Sequence, residues 1–264
     1  MRLLHLALIL SCAAACTARP PSPAETASPL ARAALVEWQA WGGITVTGWP
    51  AARPADIAAT AERYARLIAY WNAVPEGGWV VDRLQTVRAG IAATASGRDD
   101  GAAAGSATED IGLYSHPAWS AAFISAVARF AGIPEGDLPS TSRHASYIDA
   151  MLEHALADPG GAPFRPYAPE ERAPAPGDLL CADRSATLLA HWSARLAEIG
   201  EPRPMHCDVV VRSGPGIIEA VGGNVEDLVA LRRLPADAGG RILPAPPGEA
   251  AFILILAAQP RPAS

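Results

Sequence analysis

"HPAWSAAFISAVARFAGIP", residues 116–134, decides how the chain is read. Phe123, Ile124, Val127 and Phe130 recur at the three- and four-residue spacing of one helix face, and Gly132 and Pro134 end the run. Small residues follow Ser120 at its start. A helix start carries unpaired backbone N–H groups and the positive end of the helix dipole, so negative charge developing there is stabilised. Ser120 therefore has two readings, helix cap and nucleophile, and sequence alone leaves both open.

Outward from this helix, the chain of 264 residues is half apolar, enough for a sizeable core. Its net charge is −6, and it has no run of lysine or arginine, so no nucleic-acid partner is expected. At the start, Arg2 precedes an apolar run from Leu3 to Leu10 and then small residues, the layout of an export signal too short to span a bilayer. Cys16 follows three alanines and resembles the lipidated cysteine of a bacterial lipoprotein signal, with Cys12 as a competitor. That resemblance divides off a signal over 1–16 and implies a membrane anchor on the periplasmic face of the outer membrane. Plain export to the periplasm is the alternative.

Residues 17–30 are rich in proline, serine and alanine and read as a tether. A helical segment over 31–100 follows, in which Ile57, Ala61, Tyr64, Leu67, Ile68 and Trp71 mark one helix face, with Asp56 near its cap. Trp38, Trp41, Trp49, Trp71 and Trp79 crowd it and read as packing residues rather than a sugar-stacking platform. A second domain is expected over 108–258. There "STSRHASYIDAMLEHALA" predicts a helix opened by Ser140, Thr141 or Ser142, and "RSATLLAHWSARLAEIG" predicts another. "GDLLCAD", "CDVVVRSG", "GIIEAVGG", "LVALRRL" and "AFILILA" read as strands of an antiparallel meander. Helices followed by antiparallel strands make an α+β fold.

"SAAFISAVARFAGIP", "LPSTSRHASY", "GDLLCAD" and "HCDVVVRSGPGIIEA", in that order, resemble the NlpC-type and CHAP-type branch of the papain-like cell-wall peptidases. "WSAAFIS", "GDLLCADR", "HCD" and "VGGNV" resemble more closely an uncharacterised bacterial domain family of that superfamily, over about residues 112–256. The resemblance implies a papain-like fold and a hydrolase acting on peptidoglycan or a cell-wall peptide. It places Ser120 on the nucleophile position, where relatives carry cysteine, with Phe123 at the following apolar position. His206 falls on the general base, and Asn224 or Glu219 on the residue that orients it. Trp119 and His144 would border the substrate. A serine lacks the ready ionisation of a thiol, so attack needs a well-placed base. A binding protein that keeps the fold without turnover, and an esterase or acyltransferase, are the rival functions.

Cys181 and Cys207 fall on predicted neighbouring strands, where a disulfide, two buried thiols and a displaced nucleophile at Cys181 are the alternatives. The six histidines show no metal-ligand spacing, and Gly214 and Gly216 flank Pro215 in a turn rather than opening a helix. No metal and no cofactor are expected.

Overall fold

The computed structural model describes residues 28–50, 60–96 and 111–260. The expected signal over 1–16 with Cys16, and all but the end of the 17–30 tether, lie outside the described residues, as do Asp56 and Ile57. Ser28 opens helix α1 (Pro29–Ala40) by accepting a hydrogen bond from the Ala31 N–H at 3.3 Å, with Pro29 where a missing N–H costs nothing. Thr60 caps α2 (Ala61–Trp71) likewise, accepting from the Arg63 N–H at 3.2 Å. Then come α3 (Gly77–Ser96), a 3-10 turn (Ile111–Tyr114), α4 (Ser120–Phe130) and α5 (His144–Ala157).

The strands are β1 (Thr45–Thr47), β2 (Phe164–Tyr167), β3 (Leu179–Asp183), β4 (Met205–Gly214), β5 (Ile217–Val225), β6 (Leu228–Pro235) and β7 (Ala251–Ala258). They form one seven-stranded sheet in the order β1-β6-β5-β4-β3-β7-β2. The β1–β6 pair is parallel and the other pairs are antiparallel. The architecture is α+β with a mostly antiparallel sheet, as expected from the pattern of the chain. The meander holds for β3, β4, β5 and β6, but β7 inserts between β3 and β2 instead of continuing it.

One expected helix does not form. "RSATLLAHWSARLAEIG" holds only a 3-10 helix, Trp192–Glu198, because the Asp183 carboxylate captures its first part in a turn. That carboxylate accepts from the Ser185 N–H at 2.9 Å, the Ser185 hydroxyl at 2.6 Å and the Leu189 N–H at 2.8 Å.

Helices α1 and α4 pack on one face of the sheet with α2 layered against α4, and Leu35, Trp41, Leu67, Tyr70, Phe123 and Val209 lie in one core. The 31–100 segment and the 108–258 region thus share their buried surface, and β1 lies at an edge of the common sheet. Trp38, Trp41 and Trp71 are core residues, whereas Trp79 and Phe130 are exposed. A smaller cluster of Leu180, Val210, Ile218, Leu234 and Ile255 lies on the other face. Strand alternation therefore divides β4, with Cys207, Val209 and Val211 toward the helices and His206, Asp208 and Val210 opposite. Cys181 and Cys207 are register partners on β3 and β4 and are joined by a disulfide with an S–S distance of 2.09 Å.

Candidate functional site

Two helix starts meet at the mouth of a cleft. Ser120 is the first residue of α4 and His144 the first of α5, and Ser120 Oγ lies 2.6 Å from His144 Nε2. The connection between the helices fixes this approach, because Ser125, one turn into α4, accepts a hydrogen bond from the Thr141 N–H at 3.1 Å. Glu135 holds Ser140 through its N–H at 2.8 Å and its hydroxyl at 2.6 Å. Ser140 and Thr141 are thereby committed elsewhere, so α5 starts at His144 behind Arg143 with no side-chain cap. Ser120, His144, Ser142, Arg143, Ala118 and Met205 are among the residues lining the cleft, whose volume is about 560 Å³.

The electrostatics favour a neutral imidazole beside the hydroxyl. His144 is 6% exposed, and burial, reinforced by His206, holds its pKa well below the ordinary histidine value, against a smaller pull from Asp208. Its Nδ1 contacts the Tyr147 hydroxyl one turn along α5. Burial keeps that phenol protonated, its pKa raised well above the usual range. A hydroxyl can accept as well as donate, so the Tyr147 oxygen can accept a hydrogen bond from Nδ1–H and leave Nε2 as an acceptor for the Ser120 O–H.

A second imidazole packs against the first. The rings of His144 and His206 lie 5.4 Å apart between centroids, tilted by 49°. His206 Nε2 is 2.9 Å from Asp208 Oδ1, and the other Asp208 oxygen is paired with the Arg232 guanidinium. Burial alone would raise the Asp208 pKa, but Arg232 and His206 outweigh it and draw it down to about 2. Burial lowers the pKa of His206, with Asp208 pulling the other way. The neutral ring next to a carboxylate must donate from Nε2, which leaves a lone pair on Nδ1, and that atom is buried without a hydrogen-bond partner among the described residues. Trp49 closes the far side, its ring centroid 3.8 Å from the Arg232 guanidinium and 5.4 Å from the His206 ring centroid.

The residues expected from sequence redistribute. Ser120 lies at the cleft, but its hydrogen-bond partner is His144, expected as a substrate contact, and not His206. His206 is a ring width deeper, because its strand face turns it onto Asp208. Neither Asn224 nor Glu219 orients His206, since Asp208 occupies Nε2 and Nδ1 has no partner. Glu219 points to the opposite face of the sheet, where it is paired with Arg212 at 2.9 Å and Arg233 at 3.0 Å, its register neighbours. Asn224 has a φ of 55° in the irregular stretch near the end of β5, between Gly222 and Val225. Trp119 cannot border a substrate. It is fully buried, stacked 5.3 Å from Trp41 and 5.7 Å from Tyr70, because the residue before α4 faces the core. Cys181 is in the disulfide and so is withdrawn as a nucleophile.

Sequence reasoning missed Asp208, Arg232, Tyr147 and Trp49. The signal for Asp208 was available: in "HCD" it stands two residues after His206, on the same face of a strand. Tyr147, three residues after His144 in a predicted helix, was open to the same kind of argument.

A family described as "Uncharacterized protein conserved in bacteria (DUF2272)" matches residues 65–252, a span that includes every residue of the Ser120, His144, Tyr147, His206, Asp208 and Arg232 group. No curated protein and no solved structure matches the chain.

Proposed function

The chain belongs to the DUF2272 family of bacterial proteins, and from that premise we propose that it is a serine-dependent acyl hydrolase, an exported relative of the papain-like NlpC-type and CHAP-type cell-wall enzymes that cleaves amide bonds of peptidoglycan peptides. The observation that carries the reading is the 2.6 Å contact between Ser120 Oγ and His144 Nε2 at two helix starts lining an open cleft. The wider comparison draws support from a helix-borne nucleophile packed on a mostly antiparallel sheet, with a histidine at the start of β4.

The reaction follows from that geometry. Ser120 Oγ attacks the acyl carbon while its proton passes to His144 Nε2. The carbonyl oxygen takes up negative charge, which the first backbone N–H groups of α4, free of intrahelical partners, are placed to receive. His144 hands the proton to the departing amine, and water then releases the acyl group by the reverse transfer. His144 must be neutral to begin, which its burial favours.

Ester cleavage is the second reading, and Tyr147 favours it. A phenol stands where a carboxylate would back the base, so the incipient imidazolium has weaker support at Nδ1, and esters need less help at the leaving group. Export and anchoring through Cys16 belong to the same proposal and place the enzyme beside its substrate.

Purified peptidoglycan and an activated ester, supplied to the wild type, Ser120→Ala, His144→Ala and His206→Ala, test the assignment. Turnover by the wild type, lost by on the order of 100-fold or more in Ser120→Ala and His144→Ala, is the expected result. Undiminished turnover in Ser120→Ala sinks the nucleophile. A wild type that is inert yet sediments with peptidoglycan replaces hydrolysis with binding.

A further inference from the structure

Among the described residues no carboxylate is bonded to the Ser120–His144 pair, yet one is buried two groups away. We propose that Asp208, acting through the His206 ring it holds, is a positioning residue for the Ser120–His144 pair and supplies the negative charge that Tyr147 does not. This rests on the hydrolase reading above.

Three observations converge on it. The chain of contacts is continuous: Arg232 pairs with Asp208, Asp208 accepts from His206 Nε2 at 2.9 Å, the His206 ring packs 5.4 Å from that of His144, and His144 Nε2 meets Ser120. The assembly is also costly to bury. Asp208, His206 and Arg232 are each no more than 1% exposed, and Arg232 Nε and Nη1 and His206 Nδ1 find no hydrogen-bond partner among the described residues. Charges and polar atoms in such a place weaken a fold compared with apolar residues of the same size, so packing gives no reason for them. Lastly, the sheet makes room for the assembly at Gly222, where any side chain would overlap Asp208 Oδ1.

When His144 takes the Ser120 proton it becomes a cation in a buried place. His206 faces it with a neutral ring whose Nε2 is fixed by Asp208, leaving a lone pair at Nδ1, and Asp208 adds a net attraction to the new charge. Arg232 holds the carboxylate still and sets the strength of its field. The charged and titratable groups around the two rings are Tyr147 on α5, Asp208 on β4, Arg232 on β6 and Arg184 after β3; Arg184 opposes protonation of both rings, Arg232 that of His206, and His206, once charged, that of His144. Asp208 is the acidic group that favours it.

The test uses the full chain and two readouts. In Asp208→Asn, the reaction of Ser120 with a fluorophosphonate should slow by on the order of 10- to 100-fold, a share of what general base catalysis supplies. Its acid limb should move to lower pH, because His144 loses an attraction that favoured its protonated form. Titration of the two imidazoles by nitrogen-15 NMR reads the same coupling without turnover, with the His144 midpoint lower in Asp208→Asn than in the wild type. An unmoved His144 midpoint in folded Asp208→Asn overturns the proposal. Where Asp208→Asn does not fold, His206→Gln keeps a donor for the carboxylate and removes the ring. Wild-type labelling rate and acid limb in that variant overturn the proposal equally. A wild type that shows the NMR coupling but never labels at Ser120 sinks the hydrolase reading and leaves the coupling standing.

Discussion

Gly222 leaves the space that the Asp208 carboxylate occupies. A Cβ built on residue 222 would overlap Asp208 Oδ1 and come within 3.1 Å of His206 Nε2. The next residue, Gly223, does the same service for α4, since a side chain there would collide with Phe123. Adjacent glycines on opposite faces of β5 thus let α4 and the histidine–carboxylate pair approach one strand from its two sides. Gly222→Ala should lower stability by about 1–3 kcal/mol, the usual range for overpacking a filled interior. It should also slow Ser120 labelling more than the lost stability explains, because it displaces Oδ1. Thermal melts and fluorophosphonate labelling of the same sample separate the two effects, and wild-type labelling in a destabilised variant would count against the geometry.

The buried imidazoles make the fold sensitive to acid. His144 and His206 both have pKa values held below the usual 6.5 by burial. In the unfolded chain they take up protons near that value, while the folded protein resists, so their contribution is whole above about pH 6.5 and declines as pH falls from there toward the folded values. Asp208 adds a lower window, between the ordinary 3.8 and about 2, in which its own contribution is lost. The melting temperature is expected to be level between about pH 8 and 7 and to fall between about pH 6 and 5, with a gentler fall in His206→Gln. A melting temperature that rises on acidification through that range contradicts the burial of both rings as neutral groups.

A tie between α5 and the opposite wall of the cleft gives a third expectation. Arg195, 1% exposed, forks onto Asp149 with Nε to Oδ1 at 2.7 Å and Nη2 to Oδ2 at 2.8 Å. The same arginine donates to the Glu201 carbonyl at 2.6 Å, and Asp149 also accepts from the Gly200 N–H at 2.9 Å. Removing one partner strands the other charge in the interior. Asp149→Ala should therefore cost about 3–5 kcal/mol in chemical denaturation. It should also raise KM more than it lowers kcat, because the Gly200–Glu201 wall loses its anchor while Ser120 and His144 keep theirs. A cost below about 1 kcal/mol would place this pair among surface bridges rather than buried ones.

How much of this could be read in advance varies with the range of the interaction that decides each feature. Helices α4 and α5 and strands β3 to β7 were legible because their apolar residues recur with the period of the element, and that period is local. β1 and β2 were not. Thr45–Thr47 is three residues long and depends on β6 almost 190 positions away, and Phe164–Tyr167 contains a proline and depends on β7. The site divides in the same manner. A serine at a helix start and a histidine at a strand start were visible as such, but which histidine meets Ser120 depends on the Ser125–Thr141 bond that sets one helix start beside the other. Family resemblance drew attention to His206 and to Asn224 or Glu219. Alternation within "HCD" carried the better information, since period two places Asp208 beside His206, whereas Glu219 is taken up by Arg212 and Arg233.

Anchoring is tested apart from chemistry. Cys16→Ser should move the protein from the membrane fraction to the soluble periplasmic fraction, with Ser120 labelling retained. Unchanged fractionation removes the lipid anchor from the proposal and leaves the site argument intact.

The Cys181–Cys207 disulfide links the central strand β4 to its neighbour β3 within the core, immediately beside His206 in the chain. It closes a loop with a sequence separation of 26 that contains the Asp183 turn, the 3-10 helix and the Gly200–Glu201 wall of the cleft. Constraining a loop of that length in the unfolded chain stabilises a fold by about 3.5 kcal/mol on the chain-entropy account. The Cys181→Ala, Cys207→Ala double variant should lose about that amount in denaturant melts, through the unfolded chain for the most part, since two alanines fit where the sulfurs were. Ser120 labelling in the native range should change little, because His206 is held by Asp208 and by strand pairing rather than by its neighbour's sulfur. Reducing agent applied to the wild type ought to reproduce the loss only under conditions that open the sheet, both sulfurs being fully buried. Labelling that collapses in the folded double variant would instead make the disulfide part of the apparatus that positions His206.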